Sequence, residues 1–308
     1  LCAITGHNFC LDYFGVPSKD EYRAGMTVHG ETGVSRWKVD RIKATRTSAT
    51  MTISVELPIS HLEARRTFII RKGSPVVDVA VSIRNLARLD HPVTFNEHVT
   101  FGPPFVQRGV TLFDIPAKWA HTNPEGEDGN NRLKINAPFE WPHAPGSKKR
   151  KINLRIAADE KRSSDFSTQQ IIKSKTHGWL TGINPRKGAM VGYVWRRDVC
   201  PWIGSWEENH GRSVPPWNGR TLTRGIEFGN TPWAASKRDM VDLGTLRGDR
   251  TFGWVPALGE LIYQFAAYVL PVDKSWTGVR DVRVAGKALT IQGLKKSHRI
   301  DLKLGAAL

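Results

Sequence analysis

Apolar and polar positions alternate with period two along much of the chain. Over residues 51–57 the run Thr-Ile-Ser-Val-Glu-Leu does so until Pro58 ends it, which predicts a strand buried on one face. A second run, 62–71, carries Phe68, Ile69 and Ile70 and closes on the turn Lys72-Gly73-Ser74-Pro75. Next, Val77, Val79, Val81 and Ile83 point one way and Asp78, Ala80, Ser82 and Arg84 the other. After a polar turn at Asn85 comes Pro92-Val93-Thr94-Phe95. Four strands this closely spaced predict an antiparallel meander.

Between 113 and 147 the chain is rich in Pro, Gly and Asn, and residues 125–131 read as a loop. Strands resume at 152–156, 170–174, 179–181 and 190–195. The Trp-, Pro- and Gly-dense stretch 198–224 reads as one long functional loop. Residues 262–270, β-branched and aromatic, with Val282, Val284 and Ile291, supply closing strands, whereas 234–246 has no helical period. Without an internal repeat or a linker, the pattern predicts an all-β fold, a large antiparallel β-sandwich in a single domain over 1–308.

Composition narrows the classes. Of 308 residues 40% are hydrophobic, enough for a sizeable core, yet no apolar run reaches the ~18 residues of a membrane span. Three cysteines, Cys2, Cys10 and Cys200, make no disulfide framework and no zinc spacing, so neither metal nor cofactor is expected. Lys+Arg exceed Asp+Glu by 45 − 29 = 16, a balance that attracts polyanions. The basic residues are spread along the chain, however, and the run Lys148-Lys149-Arg150-Lys151 reads as a solvated loop. No RNP, OB or helix-turn-helix signature accompanies the charge, so a nucleic-acid partner is not expected, nor is a membrane. The start, Leu1-Cys2-Ala3-Ile4, reads as a chain cut from a longer protein and lacking some N-terminal strands, which leaves localisation and oligomeric state unread.

Trp is abundant, and Trp195, Trp202, Trp206, Trp217 and Trp233 fall close together in sequence. An indole needs a partner for its N–H when buried, and its face suits the C–H face of a pyranose. Three segments join histidine, carboxylate and glycine. They are His29-Gly30-Glu31 with Arg36-Trp37 after it, Asn96-Glu97-His98 before Gly102-Pro103-Pro104, and Gly225-Ile226-Glu227-Phe228. Asn96 and His98, two apart, share a strand face, and Glu227 alternates out of phase with Ile226 and Phe228, as a carboxylate facing a cleft would.

In that order the segments resemble the galactose mutarotase-like superfamily, the aldose 1-epimerases and their relatives. His29-Gly30 is similar to the family's His-Gly motif, 62–71 and 75–85 to its strand pair, Asn96-Glu97-His98 to its second histidine segment and Gly225–Phe228 to its glutamate strand. The match runs from about Phe9 to Leu270, and Phe14-Gly15 is similar to the hexose-6-phosphate 1-epimerase branch. The family's upstream arginine segment has no counterpart, and Asp198 is the nearest match to its sugar-binding aspartate. The resemblance implies anomer exchange by acid–base catalysis, with Glu227 as base, His98 as acid and His29 as hydroxyl or ring-oxygen partner. Arg36, Asn96, Asp198 and Trp206 would bind a sugar or oligosaccharide, and Arg196-Arg197 would meet an anionic substituent. The competing readings are a non-catalytic carbohydrate-binding β-sandwich, or a fragment of a polysaccharide lyase or glycosidase.

Overall fold

The computed structural model describes residues 6–127, 130–148 and 150–308. Cys2 and the chain start, two residues of the 125–131 loop, and Lys149 of the basic run lie outside them. Two eight-stranded sheets, antiparallel at every pairing between neighbours, face each other. In the first the order is His7–Asp12, His91–Phe101, Leu222–Gly229, Trp202–Asn209, Ser163–Ile171, Ala117–Thr122 and Pro138–Glu140, with Gly253–Val255 also pairing on His91–Phe101. The backing sheet runs Lys38–Ala44, Ser48–Leu57, Leu62–Arg71, Val76–Asn85, Glu260–Pro271, Ala189–Arg196, His177–Asn184 and Leu112–Asp114.

The alternation read from sequence decides which side chains enter the space between the sheets. Val79, Val81, Ile83, Leu180, Trp195 and Phe265 from the backing sheet meet Phe9, Leu11, Phe95, Val99, Ile226 and Phe228 from the first. Trp195 stacks on Phe228 at 3.9 Å and donates its indole N–H to the Cys200 carbonyl, so this Trp is core. Trp202 is buried as well, but on the opposite face of its sheet, with its N–H on the Arg250 carbonyl. A third, three-stranded sheet, Val279–Ala285, Ala288–Gly293 and Arg299–Lys303, packs Val282, Leu289 and Ile291 against the outer face of the backing sheet.

Three expectations need correction. The meander holds for Ser48–Leu57, Leu62–Arg71 and Val76–Asn85, but the fourth strand, His91–Phe101, belongs to the facing sheet. Its connection is fixed by the Asn85 amide, which donates to the carbonyls of Leu89, Val255 and Pro256. The stretch 198–224 is not one loop, because Trp202–Asn209 is a strand inside it. That strand is buried on both faces, which erases the alternation a half-exposed strand would show. A helix, Lys237–Leu243, occupies part of 234–246; it is capped by Ser236 and buries Met240 alone, so no apolar stripe marks it in the sequence.

Candidate active site

The first sheet has a second face, turned away from the core, and registers place its side chains in rows. Asn8 lies opposite His98, Cys10 opposite Asn96, Glu227 opposite Gly204 and Gly225 opposite Trp206, which in turn faces Phe166. Strand pleating puts Asn96 and His98 on this face and sends Phe95, Glu97 and Val99 into the core.

His29 comes to the same place from a loop. It adopts a left-handed conformation (φ 65°), followed by Gly30 at φ 76°, where a Cβ would overlap the Leu11 carbonyl. The loop is therefore pressed against the sheet edge, with Glu31 receiving the Ser60 N–H at 2.8 Å and the Ser60 hydroxyl at 2.7 Å. The Gly15 N–H donates to His29 Nδ1 at 3.0 Å, which leaves the proton of the neutral ring on Nε2. Phe14 stacks on the imidazole at 5.4 Å.

The convergence is tight. His29 and His98 meet edge to face at 5.2 Å, and His98 Nε2 lies 3.2 Å from Glu227 Oε1. His98 Nδ1 is 2.9 Å from the Thr100 hydroxyl, and Trp206 stands edge-on to the ring at 6.0 Å. Glu227 is 1% exposed and His98 4%, yet neither carboxylate oxygen of Glu227 has a hydrogen-bond partner. Asn96 Oδ1 and Asn8 Nδ2 are also buried and unpartnered on this face. Buried polar atoms are nearly always satisfied, so several orphans on one face mark where a polar ligand would sit.

Burial, which penalises charge, sets the electrostatics. It pushes the Glu227 carboxyl well above the usual range, with Glu127 adding to the effect and Arg224 opposing it. It holds His98 well below the usual imidazole value, reinforced by His29, and it pulls His29 down to about 4. Burial thus favours the uncharged form of each group, carboxylic acid beside neutral imidazole. Glycines make room for the carboxyl: a Cβ at Gly225 would overlap Glu227 Oε1, and one at Gly204 would lie 3.2 Å from Oε2.

Of the residues put forward from sequence, His29, His98, Glu227, Asn96 and Trp206 gather here. Asp198 does not: it is exposed and paired with Arg196 at 2.6 Å, at the turn ending a strand of the backing sheet. Arg197 is engaged with Asp249, so the Arg196-Arg197 pair is no anion site on this face. Arg36 is exposed, and among the described residues no hydrogen bond or ion pair ties it to the cluster. Two other carboxylates of the neighbouring strand, Glu207 and Glu208, are engaged elsewhere. Glu207 points to the core and takes Arg132 and Arg224, and Glu208 receives Ser164 and the N–H groups of Gly211 and Arg212. Sequence reading missed Asn8, although His7–Asp12 alternates and Asn8 shares its parity with Cys10 and Asp12. It gave no role to Phe14, whose signal was only its place before Gly15. Among the described residues no group of three or more His, Cys, Asp or Glu is arranged to hold a metal ion.

Comparison with solved structures places the sandwich in a known fold. A galactose mutarotase-like protein of Clostridium acetobutylicum superposes with TM-score 0.58 at 13% identity, over 88% of this chain and 81% of that one. This is the galactose mutarotase-like fold. A candidate aldose 1-epimerase of Klebsiella pneumoniae matches with TM-score 0.61 at 12% identity, over 87% of this chain, which spans 63% of its partner. A galactose mutarotase related enzyme of Lactobacillus acidophilus matches with TM-score 0.54 at 12% identity, over 87% and 83%. No protein-family model matches the chain, and neither does any curated protein. At these identities the galactose mutarotase-like likeness is one of architecture, and the chemistry rests on the residues themselves.

Proposed function

We propose that the chain binds an aldose on this face and interconverts its anomers by acid–base catalysis. The observation that carries the reading is Glu227, a buried carboxyl with two unpartnered oxygens 3.2 Å from an imidazole. Anomer exchange needs one group to take the proton of the anomeric hydroxyl and another to give one to the ring oxygen. A pair sharing a single proton supplies both. When the shared proton shifts from Glu227 to His98, leaving carboxylate beside imidazolium, the O1–H proton passes to Glu227 while the C1–O5 bond breaks. O5 then takes the His98 proton, and C1 becomes a carbonyl. Rotation about C1–C2 presents the other carbonyl face, and the reverse transfers close the ring and restore the pair.

His29, neutral with its proton on Nε2, is placed to donate to a sugar oxygen, and Asn96 and Asn8 offer an acceptor and a donor for ring hydroxyls. Trp206 supplies an apolar wall for the C–H face. Polarimetry on freshly dissolved α- and β-aldoses tests the reading. Wild type is expected to speed mutarotation above the buffer rate, and His98→Asn to lower the enzymatic rate by about 10² or more. Sugar binding without any acceleration would leave a carbohydrate-binding sandwich instead.

A further inference from the structure

Anomer exchange asks two things of one imidazole nitrogen. His98 Nε2 must take a proton from Glu227 and then give it to the ring oxygen of the sugar. A neutral imidazole accepts at Nε2 only if its one proton sits on Nδ1, and the partner of the one nitrogen decides the state of the other. His98 Nδ1 has such a partner in Thr100, whose hydroxyl oxygen lies 2.9 Å away.

The strand puts Thr100 there. It follows His98 by two positions in His91–Phe101, so both side chains rise from the same face. The Thr100 N–H donates to the Gly6 carbonyl at 2.8 Å, and the residue opposite is Gly225, which has no side chain to compete for the space. A β-branched side chain is also stiff at χ1. Phe14, His29 and Trp206 meet the His98 ring at 6.1, 5.2 and 6.0 Å between centroids, contacts that fix its plane but not its proton.

The supply of donors and acceptors fixes the direction of the bond. A hydroxyl gives or takes, so two arrangements have to be weighed. If Thr100 gave its hydrogen to Nδ1, the ring proton would sit on Nε2 and face the Glu227 carboxyl. The carboxyl's own proton would then be buried without an acceptor, since both Glu227 oxygens are otherwise unpartnered. If Thr100 takes the Nδ1 proton, Nε2 is bare, 3.2 Å from Glu227 Oε1, and within reach of the carboxyl proton. The hydroxyl hydrogen of Thr100, a half-buried residue, is then free to turn to solvent. The second arrangement leaves no buried donor of the pair unmet.

We propose that Thr100 is a positioning residue, whose hydroxyl oxygen accepts the Nδ1 proton of His98 and keeps the Nε2 lone pair turned to Glu227. This rests on the anomer-exchange reading above. The bond becomes charge-assisted when His98 is imidazolium, so Thr100 also stabilises the form that passes a proton to the sugar. His29 shows the converse, because the Gly15 N–H at its Nδ1 can only donate.

Long-range proton–nitrogen correlation spectra of the imidazole rings read the tautomer directly, with His29 as the contrast in the same spectrum. At neutral pH, wild type is expected to show His98 protonated on Nδ1 and bare on Nε2, and His29 the reverse. Thr100→Val, which loses the hydroxyl, is expected to populate the Nε2–H form of His98. It should also lower kcat for glucose anomer exchange about tenfold or more, with KM unchanged within about twofold, and Thr100→Ser should restore most of the loss. A wild-type His98 protonated on Nε2 overturns the proposal whether or not a sugar is turned over. So does an unchanged kcat in Thr100→Val, or a loss that Thr100→Ser fails to recover. If wild type turns over no sugar, yet His98 is protonated on Nδ1 and Thr100→Val shifts that proton, the Thr100 bond stands and the exchange reading alone falls.

Discussion

At the scale of single residues, Glu227 is a stability cost that only a function explains. Its carboxyl is buried, unpartnered and pushed up in pKa by burial. The folded state therefore holds its proton more tightly than the unfolded chain. The sign follows: as pH rises past the ordinary carboxyl range toward the folded value, the native state loses relative stability. Glu227→Gln keeps the shape and removes that loss. Thermal melts are expected to show the variant more stable than wild type at pH 8, by about 1–3 kcal/mol, and by less at pH 5. A variant less stable than wild type at pH 8 would mean that the carboxylate has a partner in the fold.

The same pair sets the pH–rate profile. Its one-proton form is bounded on the acid side by His98, held well below the ordinary imidazole value, and on the alkaline side by Glu227, raised well above the ordinary carboxyl value. Of the neighbouring groups, His29 is held at about 4 and the Cys10 thiol is pushed far up by burial. Plotted against pH, kcat/KM is expected to show its acid limb below 6.5, the ordinary imidazole value. An acid limb at or above 6.5 would show an exposed, solvated histidine in its place.

At the scale of elements, one strand serves two faces. His91–Phe101 gives His98 to the site and Glu97 to the core, where Glu97 meets Arg66 at 2.8 Å, His7 at 2.6 Å and the Tyr263 hydroxyl at 2.7 Å. Burial raises the Glu97 carboxyl, but Arg66 and the hydrogen bonds outweigh it and hold it below the usual range. Removing one partner of such a pair leaves the Arg66 charge buried. Glu97→Gln is therefore expected to cost about 3–5 kcal/mol in urea unfolding, while His98→Asn on the opposite face costs activity far more than stability. The neighbouring strand offers the converse contrast. Gly225→Ala puts a methyl where Glu227 Oε1 lies, so the carboxyl must swing, and exchange is expected to fall at least tenfold with a small change in the melting temperature.

Strand phase was the legible part of this site. The parity of Asn96 with His98 and the offset of Glu227 from Ile226 and Phe228 were readable because a pleated strand has only two faces. What escaped had no local signal. Trp202–Asn209, buried on both faces, shows no alternation, and Lys237–Leu243 buries one side chain. Asp198 and Arg197 each have an oppositely charged partner, Arg196 beside one and Asp249 across the fold from the other, which sequence order does not reveal. Asn8 was visible in parity but became a candidate only when its strand paired beside His98.

At the scale of the whole molecule, the sandwich separates two requirements. The space between the sheets carries the apolar packing and the charged networks of Glu97 and Glu207. The outer face of the first sheet is thereby left free to hold unsatisfied polar groups. Net charge, +16 overall, is spread along the chain rather than gathered in one run. Exchange on a neutral aldose is accordingly expected to vary less than twofold between 20 and 300 mM salt, because steering by surface charge acts only on a charged ligand.

The central claim is that Glu227 moves the proton of a bound aldose. Magnetisation-exchange NMR on the two anomers of glucose or maltose, with wild type and Glu227→Gln side by side, reads turnover and, through line broadening, binding in one sample. Wild type is expected to raise the α-to-β exchange rate above buffer. Glu227→Gln is expected to bind the sugar and to exchange it at least about 10²-fold more slowly. Exchange at the wild-type rate in Glu227→Gln, or sugar bound by wild type with no exchange at all, would contradict the account.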